Sequence, residues 1–68
     1  MNKALLKAAM AEHGDTQNSL AEAMGISLSR LNAKINERNQ AAFTQQEIAF
    51  IRDRYNLSND RAMAIFFA

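Results

Sequence analysis

The side chains between Leu28 and Gln40 are the ones best suited to chemistry here, and that chemistry is hydrogen bonding and charge pairing. Suppose residues 28–35 form a helix with Leu31 and Ile35 turned inward. Ser29 and Ala33 then point directly outward, Leu28 and Asn32 lie on one flank, and Arg30 and Lys34 lie on the other. An asparagine amide can donate and accept at once, and Leu28 and Ala33 offer apolar contact. Arg30 offers a charged, planar set of donors. The alternative is an ordinary solvated helix face. Against it, an exposed Leu28 at a helix start has little structural purpose.

Covalent chemistry is poorly provided for. His13 is the only histidine and cysteine is absent, which removes most zinc sets and any Ser-His or Cys-His catalysis within one chain. Glu12, His13 and Asp15 are close in sequence, but three exposed ligands make a poor metal site. His13 reads as a helix-end residue. The expectation is a protein that is not an enzyme, with no cofactor, no metal and no small-molecule substrate.

The elements that must position these residues are helical. Proline is absent and alanine is abundant, both favouring helix. A chain of 68 residues makes a single domain with one small core. Five helices and no strand are expected. The first runs from about Asn2 to Glu12, with Leu5, Leu6, Ala9 and Met10 as its apolar stripe and Gly14 closing it. Thr16 caps a second helix that ends near Met24. Ser27 caps a third, from about Leu28 to Ile35. The stretch from Asn36 to Gln40 is a polar loop. Thr44-Gln45-Gln46-Glu47 has the capping-box pattern, with Phe43 and Ile48 placed to form a hydrophobic staple. The fourth helix continues to about Tyr55, burying Ile48, Ile51 and Tyr55. Ser58 caps the fifth, from about Asn59 to Phe66, with Ala62, Ile65 and Phe66 on one face.

Net charge is only +1, which is weak for a nucleic-acid binder. Distribution matters more than the total. Arg30, Lys34 and Arg38 are spaced by four, and Lys3 and Lys7 form a similar pair near the start. The acids Glu12, Asp15 and Glu22 lie elsewhere in sequence. The pattern fits a locally basic face, or a plain solvated one.

The run Gln17-Asn18-Ser19-Leu20-Ala21-Glu22-Ala23-Met24-Gly25-Ile26-Ser27-Leu28-Ser29-Arg30-Leu31-Asn32-Ala33-Lys34-Ile35-Asn36 reads as a short helix, a tight turn at Gly25 and a second short helix. Ala21 is small where the two would cross. Together these features resemble a DNA-binding helix-turn-helix. The chain is similar to the phage Cro and repressor DNA-binding domains of the lambdoid, XRE-like type. The likeness rests on Thr16-Gln17, Leu20-Ala21, Gly25-Ile26-Ser27 and Leu31, and extends loosely through Phe43-Thr44-Gln45-Gln46-Glu47-Ile48 to Ile65-Phe66-Phe67. Asn32-Ala33-Lys34-Ile35-Asn36 is similar to Cro-like regulators of Gram-positive type.

The resemblance implies a compact five-helix, lambda-repressor-like all-α domain. Its third helix would enter the major groove of operator DNA, with Leu28, Ser29, Arg30, Asn32 and Ala33 as base contacts. Gln17, Lys34, Asn36, Arg38 and Gln40 would meet phosphates, Gln17 from a helix start that suits an anion. The implied place is the bacterial cytoplasm, on the nucleoid. No apolar run long enough for a bilayer and no secretory signal is visible.

This sequence departs from the family at two positions. Glu37 stands where glycine often follows the closing Asn, and its charge would repel phosphate. Lys34 occupies the usual apolar position three after Leu31, while Ile35 is apolar instead, so the roll of the third helix is open by one residue step, about 100°. Met63 and Phe67 lie off the core stripe of the last helix. They are expected either to form a weak homodimer contact, strengthened on DNA, or, for Phe67, to fold back on its own domain. Rival readings are an antitoxin-like regulator with a protein partner and a helical interaction module without specific DNA binding.

Overall fold

Each helix begins at a side chain that takes over a free backbone amide. The computed structural model describes all 68 residues and contains α1 (Lys3–Glu12), α2 (Gln17–Met24), α3 (Leu28–Ile35), α4 (Gln45–Arg54) and α5 (Asn59–Phe66), with a 3-10 turn at Arg38–Gln40 and no strand. Asn2, Thr16, Ser27, Thr44 and Ser58 are the five N-caps, each accepting from the amide three residues on. Such a cap contributes about 1 kcal/mol. The capping box at Thr44 is reciprocal, since Glu47 Oε1 accepts from the Thr44 amide at 2.9 Å. A second box joins Thr16 to Ser19, a serine doing the work of the usual glutamate.

Gly25 ends α2 at φ 72°, in the left-handed region that glycine enters without penalty. The Gly25 amide donates to the Glu22 carbonyl at 3.2 Å and the Ile26 amide to that of Ala21 at 3.1 Å. This paired closure turns the chain sharply enough to bring α3 back across α2. Asn56 closes α4 in the same left-handed conformation, at φ 49°.

One core cluster of 12 buried residues draws on all five helices, including Leu6, Leu20, Leu31, Ile35, Ile51 and Ile65. Ala21 lies in it, as expected of a small residue at a helix crossing. Leu5 is a correction to the expected stripe. The inward seam of α1 is Leu6, Ala9 and Met10, and Leu5 stays exposed. Ile48 is another: it is half-buried, while Ile51 and Tyr55 are fully enclosed. Phe43 meets Phe66 edge-on, with ring centroids 5.8 Å apart.

Asp15 ties the turn between α1 and α2 to the end of α4. Its carboxylate accepts from Arg54 Nε at 2.8 Å and Nη2 at 3.1 Å, and also from the Tyr55 and Ser19 hydroxyls. The Arg54 hydrogen bond holds Asp15 well below the usual carboxylate range, outweighing desolvation, with Ser19 and Tyr55 adding to it. Burial, then the hydrogen bond to Asp15, pushes the Tyr55 hydroxyl well above its ordinary value. His13 stacks on Tyr55 at 5.0 Å, and its Nδ1 donates to the Ala9 carbonyl at 2.9 Å. It is a helix-end residue, as its sequence position suggests.

Candidate nucleic-acid interface

α3 is held by Ser27 at its start and by a buried triad along its length. Leu31, Lys34 and Ile35 all turn inward, which fixes the roll of the helix. The outward and flanking positions therefore fall to Leu28, Ser29 and Arg30, all exposed, and to Asn32 and Ala33, both half-buried. Lys34 and Ile35 are buried together, so the roll lies between the two settings one residue step apart. Leu28 is among the few large apolar side chains left in water.

Lys34 corrects the expected phosphate set. It is only 6% exposed, filling the position three after Leu31 with its aliphatic stem. Its ammonium donates to Glu47 Oε1 at 2.9 Å and to the Ala42 carbonyl at 3.1 Å. Burial alone would raise the Glu47 pKa, but the Thr44 amide and Lys34 outweigh it and hold the carboxylate below its usual value. Lys34 thus anchors α3 to the start of α4, and its charge is not available to a phosphate.

A polar ladder crosses three helices beside this anchor. Asn32 Nδ2 donates to Gln17 Oε1 at 3.1 Å, joining α3 to the first residue of α2. Asn36 Nδ2 donates to the Asn32 carbonyl at 2.9 Å and its Oδ1 at 3.3 Å. Asn36 Oδ1 in turn accepts from Lys3 Nζ at 3.1 Å. Gln17, Asn32 and Asn36 are thus brought together. In the sequence Lys3 stands out only by its four-residue spacing from Lys7, and nothing there places it beside Asn36.

Beyond Asn36 the backbone is left-handed at Glu37, Asn39 and Gln40, with φ of 53°, 52° and 64°. These values explain why glycine suits the position of Glu37; Asn39 enters this region readily, while Glu37 and Gln40 each cost about 1 kcal/mol or more there. Arg38 and Gln40 are exposed on this turn. The Glu37 carboxylate pairs with the Met1 ammonium at 3.3 Å, so its charge does not stand alone on this face.

Charge is divided between the two sides of the sequence pattern. Of eight basic side chains, Lys34, Arg54, Arg61 and, loosely, Arg52 have carboxylate partners. Lys3, Lys7, Arg30 and Arg38 have none, and all lie on α1, α3 or the turn that follows α3. A net charge of +1 therefore understates the basic character of this region.

On α5, Met63 is 57% and Phe67 54% exposed, so Phe67 does not fold fully onto its own domain. Both line a groove of about 350 Å³ between α4 and α5, with Ile48, Ala49 and Ala62. No group of three His, Cys, Asp or Glu side chains converges to hold a metal, and no helix is long and apolar enough to cross a membrane. No family model, curated protein or solved structure matches this chain.

Proposed function

We propose that this chain is a phage-type, Cro-like transcriptional regulator that binds operator DNA through α3. The observation that carries the reading is the unpaired cation set beside an α3 face bearing an exposed leucine. A helix about 10–12 Å across fits a major groove about 12 Å wide. Leu28, Ser29, Arg30, Asn32 and Ala33 are the base-contacting set. Gln17, Asn36, Arg38 and Gln40 meet the phosphates and set the register. Two copies, joined weakly through Met63 and Phe67, occupy an operator and exclude polymerase or a competing regulator. No step of this action needs a cofactor.

The test is a gel shift against the upstream region of the native gene, followed by a salt titration. With Arg30 and Arg38 each neutralising about one phosphate charge per copy, a dimer gives a log–log slope of at least about 3.6 in magnitude. Absence of binding at low salt, or binding indifferent to salt, overturns the reading.

A further inference from the structure

Withdrawal of Lys34 leaves α3 with a single free cation, Arg30, and the structure supplies another from a different helix. We propose that Lys3 is a DNA-backbone contact, so that the first turn of α1 flanks the duplex beside the C-terminal end of α3. This rests on the DNA-binding reading above. Lys3 and Asn36 are separated by 33 residues in sequence, yet Lys3 Nζ lies 3.1 Å from Asn36 Oδ1. Asn36 closes α3 and leads directly into the exposed Arg38 turn. An ammonium has three donors, and Asn36 takes one of those of Lys3, leaving two for phosphate oxygens.

Lys3 is exposed and has no carboxylate partner. Glu37, which follows Asn36 in the chain, is occupied by the Met1 ammonium. Lys7 follows one turn later on the same flank of α1, also exposed and unpaired. An unopposed row of this kind complements a duplex that carries one negative charge per about 1.7 Å of its axis. The competing explanation is that Lys3 is only a tether, holding α1 to α3 through its hydrogen bond to Asn36.

Charge and hydrogen bonding are separable at this position. Lys3→Gln keeps an amide donor for Asn36 and removes the charge; Lys3→Arg keeps the charge. Binding of each variant to sheared genomic DNA is measured across a salt series, since the phosphate contribution does not depend on sequence. Lys3→Gln is expected to lower the magnitude of the log–log slope by about 0.9 per copy bound, with the affinity loss greatest at low salt. Lys3→Arg and the control Arg61→Gln, whose charge is already matched by Glu12 at 3.1 Å, keep the wild-type slope. A Lys3→Gln slope equal to wild type, with wild-type binding intact, overturns this proposal alone. Failure of the wild-type chain to bind any duplex overturns the DNA reading and this proposal with it.

Discussion

Asn32 and Lys34 sit two residues apart on one helix and have opposite fates. Asn32 is half-exposed and shares its amide with Gln17, while Lys34 is sealed against Glu47. Asn32→Ala should therefore cost about 1–3 kcal/mol on the best operator and relax preference at one base pair. Gln17→Ala should perturb the same base pair, and the double variant should lose less than the two singles added, because the residues touch. Binding titrations on a panel of single-base operator variants check this. Lys34→Ala behaves differently. It leaves Glu47 without its ammonium and should cost about 2–3 kcal/mol of folding stability, somewhat under the range for a fully enclosed pair because Glu47 keeps some contact with water. Denaturant unfolding measures that loss. The salt slope on DNA should stay at the wild-type value once folding is saturated. Arg38→Ala, in contrast, should weaken all sequences about equally and reduce the magnitude of the slope by about 0.9 per copy bound. If Lys34→Ala lowers the slope as Arg38→Ala does, Lys34 leaves its buried site on DNA.

Helix limits in this protein are written locally. Thr16, Ser27, Thr44 and Ser58 each cap a helix through an amide only three residues away, and Gly25 supplies the left-handed turn by its own lack of a side chain. Thr44→Ala removes one arm of the capping box and should destabilise by about 0.5–2 kcal/mol in a thermal or denaturant melt, leaving DNA contacts unchanged in the folded protein. An unchanged melt would mean that the box contributes nothing to the start of α4. The same short reach explains what sequence pattern could reveal. Caps, turns and the Leu31–Ile35 seam depend on neighbours along the chain, so their spacing exposes them. The Lys3–Asn36 bond spans 33 residues and the Arg54–Asp15 pair spans 39, and no local spacing announces either. Lys34 is the instructive case. Its type and its four-residue spacing from Arg30 and Arg38 suggest a surface cation, but α4 arrives to bury it, and only the position of Glu47 in three dimensions decides the matter.

At the scale of the molecule, two carboxylates set the acid limit of stability and one phenol the alkaline limit. Asp15 and Glu47 both titrate below their ordinary values when folded. The unfolded chain therefore takes up protons first as pH falls, and their contribution is lost below about pH 4. Tyr55 is shifted upward, so its contribution is present below about pH 10 and is lost at higher pH, where the unfolded chain ionises first. Melting temperature should be flat between these limits, and Asp15→Asn should lower the plateau and flatten the acid limb. A steep acid limb retained in Asp15→Asn would assign the acid sensitivity elsewhere. Size imposes a further requirement. On the proposed reading a single α3 would span only a few base pairs, and the body measures 27 × 24 × 21 Å. Two copies lying side by side can set their recognition helices about one turn of DNA, roughly 34 Å, apart. Met63 and Phe67 are the apolar side chains left over half exposed on α5, beside the groove with α4. The patch is small, so dimerisation in free solution should be weak and DNA should strengthen it. Because Phe67 is 54% exposed, Phe67→Ala should change the monomer melt little. It should weaken operator binding much more, since it removes the proposed contact between copies. Stoichiometric titration, with a melt of the same sample, checks both halves. One protein per operator at saturation, or a variant whose only defect is an unfolded monomer, overturns the dimer.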